Sequence, residues 1–191
     1  MGGYSDVMAK KYAMALLLSA SLLTGCVAVS IQETEVDPYY TPDLVRGIIA
    51  DGEFPSQVRG SPFTGQADIA EKARARLRMP GWFSQARFVP AQSVRQHRVV
   101  LVFGPTLLGL RGKEACGDFA GMKLAPGNGE IELVVAFCIG DRVLNQIRIQ
   151  GARVKGPDDP AFGRLLDQSI VSLLPSNDTD RTGDCVAGAP C

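Results

Sequence analysis

The sequence feature that most constrains the fold is an unbroken apolar run at residues 98–103 (RVVLVF), which stops at Gly104-Pro105. The run is too short for a typical helix, and its β-branched and aromatic side chains favour an extended strand. Continuous apolar character, without polar alternation, is typical of a strand that is buried on both faces. The sequence therefore predicts a sheet with residues 98–103 near its centre.

Other strands are predicted on both sides of this one. Residues 131–137 and 142–150 read as a hairpin around Gly140-Asp141, with glycine first as a type II′ turn prefers. Residues 44–50 and 54–59 read as a second hairpin, because Asp51-Gly52 is typical of a type I′ turn. A short strand is expected at residues 87–89, where it is stopped by Pro90.

Two helices are predicted from the spacing of apolar residues. Residues 66–78 place Ile69, Ala73 and Leu77 on one stripe. The second helix begins with Asp159 as its cap and Pro160 in its first turn, and ends before Pro175. We expect an α+β fold over residues 44–175, a single domain with an antiparallel sheet of about five or six strands and two helices packed on one face.

The first twenty-five residues are typical of a secretory signal peptide. Lys10 and Lys11 precede an apolar stretch at residues 12–23. That stretch is shorter than the roughly 20 apolar residues that a membrane-spanning helix needs. Asp6 is unusual in a basic leader, so translation starting at Met8 is an alternative to Met1.

The end of this leader, Leu23-Thr24-Gly25-Cys26, resembles the lipobox of bacterial lipoproteins. The resemblance implies that the chain is cut before Cys26, that Cys26 carries a diacylglycerol, and that its amino group is acylated, for example with palmitate. Several acyl chains hold a protein stably on a membrane. By resemblance to the enterobacterial sorting rule for lipoproteins, Val27 in place of aspartate favours the outer membrane facing the periplasm over the inner membrane. The alternative is an ordinary secretory signal with a chance cysteine.

Two segments outside the predicted domain have the composition of linkers. Residues 26–43 contain Pro38, Pro42 and an acidic trio, and are interpreted as a lipidated N-terminus followed by a flexible tether. Residues 176–191 are polar and rich in glycine, with Asp178, Asp180 and Asp184. They are interpreted as a loose C-terminal tail.

Four cysteines remain once Cys26 is lipidated. An even number in an oxidising compartment indicates disulfides, and we favour Cys116–Cys138 and Cys185–Cys191 among the three possible pairings. A zinc site is the alternative, but the chain has no CxxC motif and one histidine. No metal and no cofactor are expected.

The net charge argues against a nucleic-acid partner, but one stretch of the chain is strongly basic. Without Lys10, Lys11 and Asp6 the chain keeps 18 basic and 19 acidic side chains, which does not favour nucleic acid. Residues 72–98, however, contain seven basic side chains and no acidic one. The candidate contact surface consists of Arg74, Arg76, Arg78, Trp82 and Phe83. The alternatives are a solvated basic face, with the two aromatic residues as a lid on the core, or a contact with anionic lipid, lipopolysaccharide or peptidoglycan.

No catalytic motif is present in the sequence. His97 is the single histidine and is expected to be structural, and no nucleophile elbow, zinc-protease or phosphate-loop pattern occurs. We therefore expect a non-catalytic interaction or structural module, anchored to the membrane through Cys26 and contacting an envelope protein. The alternative is a binding protein for an envelope lipid or small apolar ligand that uses the glycine-rich residues 106–130. A cell-wall or lipid hydrolase is the third hypothesis.

A second resemblance covers residues 44–175. The motifs Gly60-Ser61-Pro62-Phe63, residues 98–103, residues 136–142 (AFCIGDR) and Asp159-Pro160-Ala161-Phe162 resemble a group of small envelope proteins, mainly alphaproteobacterial. The resemblance implies a single domain in which these motifs are structural. That group has no assigned activity, so the resemblance transfers no site residues.

Overall fold

The computed structural model describes residues 30–33, 36–104, 115–117, 124 and 130–176. In chain order the strands are β1 (Ser30–Glu33), β2 (Glu53–Arg59), β3 (Arg87–Pro90), β4 (His97–Phe103), β5 (Glu130–Ile139) and β6 (Arg142–Arg153). The helices are α1 (Pro42–Ile48), α2 (Ile69–Arg76) and α3 (Pro160–Leu173), and a 3₁₀ turn (Ile49–Asp51) follows α1. No helix of these described segments is long and apolar enough to cross a bilayer.

The strands form one six-stranded sheet in the order β1-β6-β5-β4-β2-β3, which makes the fold α+β as expected. The prediction of an antiparallel sheet was wrong, because β2 runs parallel to both β3 and β4. The sheet is therefore mixed. Parallel neighbours need a crossover connection, and α2 lies in the connection between β2 and β3. The predicted apolar strand, β4, lies inside the sheet between β5 and β2.

The predicted hairpin at residues 44–59 was wrong, because its first half is helix α1. The Thr41 hydroxyl accepts a hydrogen bond from the Leu44 amide at 3.1 Å, and Pro42 occupies the first turn. Gly52 has a φ of 75° and ends the 3₁₀ turn. A helix end and a type I′ turn both favour a glycine with positive φ, so Asp51-Gly52 alone does not distinguish them.

The described part of the predicted tether is folded onto the domain. Ser30–Glu33 pairs with β6 as an edge strand, with Ser30 opposite Gln150. The Asp37 carboxylate pairs with Arg142 at 2.8 Å, and Tyr40 is fully buried. Residues 30–33 and 36–43 are therefore not a free tether. Three residues, 27–29, separate the proposed lipid-bearing cysteine from the sheet.

In the described part of the chain, three helices, rather than the predicted two, cover one face of the sheet. Val45 of α1, Ala73 of α2 and the apolar face of α3 join one buried cluster with Val99, Leu101 and Phe103 of β4. The opposite face carries a second, smaller cluster in which Val100, Val102, Val134 and Ala136 pack against Ala115 and Cys116. Both faces of the central strand are consequently dry, in agreement with its continuous apolar run.

A register shift in the β5–β6 hairpin changes which side chains of β6 face the core. Cys138 lies opposite Val143 but Phe137 lies opposite Asn145, so Leu144 is an additional residue. Simple alternation along β6 predicts Leu144 on the face away from Ile147 and Ile149. Because of the bulge, Leu144 joins them in the main core, and Val143 packs against the second cluster.

Helix α3 is held at both ends by side chains. The Asp159 carboxylate accepts the Ala161 amide at 2.9 Å, which confirms the predicted cap. At the other end, carbonyl oxygens that a helix leaves unpaired accept from three distant residues. Asn145 donates to Leu173 at 2.5 Å, Trp82 to Leu174 at 3.0 Å, and Tyr40 to Pro175 at 2.7 Å.

Candidate functional site: a basic groove between helix α2 and strand β3

A surface groove of about 690 Å³ lies between helix α2 and strand β3. Its apolar lining includes Leu77 and Phe88, which are also part of the main core. The remaining lining is mostly polar or small and consists of Glu71, Arg74, Ala75, Arg78, Gln85, Ala86, Arg87 and Pro90. This volume lies in the range of small-molecule and peptide sites. An apolar floor with a cationic rim suits an extended acidic segment or an anionic amphiphile.

The groove collects part of the basic stretch that the sequence singles out at residues 72–98. Ion pairs engage Lys72 with Asp68 at 3.0 Å, Arg76 with Asp158 at 3.2 Å and Arg87 with Glu53 at 2.6 Å. Within the described part of the chain, no carboxylate pairs with Arg74, Arg78 or Arg95. Arg74 and Arg78 line the groove together with a single carboxylate, Glu71, so the lining keeps a net positive charge.

The predicted contact residues on α2 have different structural roles. The Arg78 guanidinium donates to the carbonyls of Ala75 and Leu77 at 2.8 and 2.9 Å, which caps the C-terminal end of the helix. Arg76 links α2 to the loop before α3 through Asp158. Among the described residues Arg74 has neither kind of bond, and it is half-buried against the groove. Of the groove arginines, Arg74 is therefore the one most available to a partner.

The two predicted aromatic contact residues, Trp82 and Phe83, differ in burial. Trp82 is 41% exposed, and its indole N–H donates to the carbonyl of Leu174. Phe83 is only 5% exposed and belongs to the main core, with the Arg46 guanidinium 5.7 Å from its ring centre. Assigning Phe83 to the contact surface was therefore wrong, because its ring is buried. Trp82 remains on the surface beside the groove-lining segment.

Strand β3 forms one wall of the groove and is an edge of the sheet. The amides of Arg87 and Ala91 donate to the carbonyls of Gly52, just before β2, and of Ser56, at 2.9 Å each. The amide of Phe88 and the residue at position 90 therefore face outward. Position 90 is proline, which has no amide hydrogen to offer. This edge is poorly suited to pairing with an added strand, so recognition in the groove falls to side chains.

The opposite face of the sheet contains the predicted Cys116–Cys138 disulfide, with the two Cα atoms 5.6 Å apart. Beside it Arg98 is fully buried and lies opposite Cys138 in the sheet. Its guanidinium donates to the carbonyls of Val94, Gln96, Cys116 and Gly140, at 2.5 Å for Cys116 and 3.0 Å for Gly140. Burial, together with the nearby Arg59, lowers the pKa of Arg98. The disulfide therefore positions a carbonyl that helps to solvate a buried cation.

His97 lies at the start of β4, with its ring 6.3 Å from that of Phe137. Burial lowers its pKa, which favours the neutral imidazole. Within the described segments, no group of three or more His, Cys, Asp or Glu side chains is arranged to hold a metal ion.

Several predicted features lie outside the described residues. These are the leader with Cys26, the pair Cys185 and Cys191, and most of the glycine-rich stretch at residues 106–130. The described parts of that stretch, residues 115–117 and Leu124, pack on the second apolar cluster.

The sequence signals the basic residues of one wall of the groove, but not the strand that forms the other wall. The run of arginines on α2 was visible as a stretch without acidic residues. Arg87 and Phe88 were assigned to a short strand, and nothing local shows that this strand folds back beside α2. The parallel pairing of β2 and β3 brings these walls together, and that pairing was not predicted.

No family model and no curated protein matches the chain. Among solved structures, the PelC dodecamer from Paraburkholderia phytofirmans is similar with a TM-score of 0.41 and 11% sequence identity, over 78% of this chain and 99% of that chain. A likeness at this TM-score supports no statement about the function of this chain.

Proposed function

We propose that the protein is a lipid-anchored, non-catalytic interaction module of the bacterial envelope that binds a partner protein through the groove between α2 and β3. The observation that carries the proposal is the positive charge of Arg74 and Arg78 above an apolar floor, since no carboxylate of the described residues forms an ion pair with either arginine. Like-charged side chains repel each other, so an anionic partner would relieve an existing cost as well as form new contacts. An acidic segment of an envelope protein has this chemistry.

The sheet order is consistent with a membrane anchor and a partner-binding groove at separate places on the domain. The proposed anchor precedes β1 at one edge of the sheet, while the groove lies beside β3 at the opposite edge. Five interstrand spacings of about 4.8 Å separate these edges by roughly 24 Å. A partner could therefore approach the groove without competing with the site of membrane attachment.

The anchor would hold the domain close to the bilayer. From Cys26 to Ser30 the chain has four steps, which span at most about 14 Å when fully extended. The module would then sit against the headgroups, and its orientation would be restricted. A partner bound in the groove would in turn be held at a limited height above the same membrane.

The partner can be tested by affinity purification from envelopes of cells that express a tagged protein. We expect one defined envelope protein to copurify with wild type and to be lost with Arg74→Glu/Arg78→Glu. The matched control is Arg95→Glu/Arg164→Glu, which reverses two exposed arginines outside the groove and should retain the partner. Thermal unfolding of each variant establishes that the fold is intact. Equal recovery with all three proteins would remove the groove from the proposal.

The anchor is tested separately by the intact mass of the protein extracted from membranes. We expect the mass of residues 26–191 plus a diacylglycerol and an acyl chain, and no added lipid mass in Cys26→Ala. An unmodified mass for the wild type would refute the anchor, but it would leave the groove test unaffected.

A further inference from the structure

The chain continues beyond the described residues as an acidic segment. Residues 177–191 contain Asp178, Asp180 and Asp184 but one basic residue, Arg181. We infer that this C-terminal segment binds in the basic groove of its own molecule and competes there with the acidic segment of a partner. The inference rests on the proposed function, since it concerns regulation of the same groove.

The point where the segment leaves the domain is fixed next to the groove-lining residues. The carbonyl of Leu174 accepts from Trp82 at 3.0 Å, and the carbonyl of Pro175 accepts from Tyr40 at 2.7 Å. Trp82 is four residues after Arg78 and three before Gln85, and both of these line the groove. Four fully extended residues span about 14 Å, so the exit lies close to the groove.

The segment is long enough to reach the groove. Asp178, Asp180 and Asp184 follow Leu174 by four, six and ten residues, which corresponds to extended lengths of about 14, 21 and 35 Å. The extended lengths from Leu174 to Asp180 and to Asp184 exceed the extended length of about 14 Å between Trp82 and Arg78. The length of the segment is therefore sufficient for this contact.

The charges of segment and groove are complementary. The groove is lined by three arginines and one glutamate, and the segment has three aspartates and one arginine. Individual exposed ion pairs are weak. A tethered segment nevertheless acts at an effective concentration on the order of millimolar, so even a weak site would be occupied for much of the time.

Competition can be measured on the full chain with a hexaglutamate peptide as the probe. In the variant Asp178→Asn/Asp180→Asn/Asp184→Asn the segment loses its acidic groups. We expect this variant to bind the peptide about tenfold more tightly than wild type. That factor corresponds to a tethered segment whose effective concentration is about ten times its own dissociation constant for the groove. The matched control, Asp43→Asn/Asp51→Asn/Asp141→Asn, changes the net charge equally at exposed sites outside the groove and should bind like wild type.

A covalent readout complements the titration. The amine introduced by Arg74→Lys can be joined by a carbodiimide to a neighbouring carboxylate, and peptide mass spectrometry identifies the partner residue. We expect a link within one molecule from position 74 to Asp180 or Asp184, and none from Arg95→Lys.

Each alternative result has a distinct meaning. One result is that wild type and the tail variant bind hexaglutamate equally and that Arg74→Glu abolishes peptide binding in both backgrounds. The intramolecular contact is then refuted, while the proposed function stands. If the control gains affinity as much as the tail variant, the effect is one of net charge, and the inference is likewise refuted. If no form binds the peptide, both the inference and an acidic partner in this groove are refuted.

Discussion

Arg98 is the residue whose environment departs most from that of an ordinary strand position. It is fully buried, and four backbone carbonyls, from Val94, Gln96, Cys116 and Gly140, accept from its guanidinium. A buried cation is tolerated when hydrogen bonds replace its water. Arg98 thus ties the connection between β3 and β4 to the β5–β6 turn and to the disulfide.

This arrangement predicts a large effect for Arg98→Met, which preserves most of the side-chain volume. Removing the guanidinium leaves buried carbonyls without donors, so we expect a loss of about 3 kcal/mol in the free energy of unfolding. Urea unfolding measures it. In a double-mutant cycle with Cys116→Ala/Cys138→Ala the two losses should not be additive, because both changes release the Cys116 carbonyl. Additive losses would show that the cation and the disulfide act independently.

His97 leads to a prediction about pH. Burial lowers its pKa in the folded state, so the unfolded chain takes up the proton first as the pH falls. Stability is therefore unaffected well above the unfolded value of about 6.5 and decreases below it. We expect thermal unfolding at about pH 5.5 to occur at a lower temperature than at pH 7.5, and His97→Gln to reduce that difference. An unchanged difference in the variant would assign the effect to other groups.

Some residue roles were predictable, and others required the tertiary structure. The Asp159 cap and the Cys116–Cys138 pairing depend on local signals and on the number of cysteines, and both were predicted. The burial of Phe83 was not predicted, because an aromatic residue beside another gives no indication of which ring faces the core. The role of Arg98 was hidden for a similar reason, since its acceptors are carbonyls from distant segments.

At the scale of elements, the C-terminal end of α3 shows how one helix organises its surroundings. The carbonyls of its last residue and of the two residues that follow accept hydrogen bonds from Asn145, Trp82 and Tyr40, which come from three separate parts of the chain. A helix end normally relies on a glycine or on water for these groups. Here distant side chains replace them and fix the neighbouring surface.

Trp82→Phe tests one of these contacts. The ring is kept but the indole N–H is lost, so we expect a decrease of about 1 kcal/mol in the free energy of unfolding, as for a single neutral hydrogen bond. Chemical denaturation followed by circular dichroism is suitable, because Trp82 is the only tryptophan and its fluorescence disappears in the variant. An unchanged stability would mean that water replaces the donor at no cost.

The elements themselves were predicted unevenly. Strong local signals identified β4, the β5–β6 hairpin and α3. Helix α1 was missed although Thr41-Pro42-Asp43 is a good start signal, because the apolar run before Asp51-Gly52 fitted a strand equally well. Elements at the two edges of the sheet, β1 and β3, are short, and tertiary pairing rather than local pattern determines their role.

At the scale of the whole molecule, the parallel arrangement of β2 with β3 and β4 creates the groove. An antiparallel arrangement would not require α2 to cross the sheet between β2 and β3. Strand direction depends on connections across the whole domain, so residue patterns did not reveal it. The general α+β class followed from element types alone.

The short connection to the proposed anchor gives a prediction at this scale. Inserting twelve Gly/Ser residues between Val29 and Ser30 would lengthen the connection to a root-mean-square reach of about 22 Å. Neutron reflectometry of lipidated protein on a supported bilayer measures the gap between protein and headgroups. We expect no resolved gap for wild type and a hydrated layer for the insertion variant. A hydrated gap of equal thickness in both proteins would contradict close attachment.

The central claim is that the groove between α2 and β3 binds an envelope partner, and photo-cross-linking in living cells tests it most directly. A photoreactive phenylalanine in place of Ala75, which is exposed and lines the groove, would capture whatever lies there; one in place of Gln168, exposed on α3, serves as the control. We predict a single envelope-protein adduct from position 75 that disappears with Arg74→Glu and persists with Arg95→Glu. An adduct that survives Arg74→Glu, or the same adduct from position 168 and none from 75, would contradict the claim.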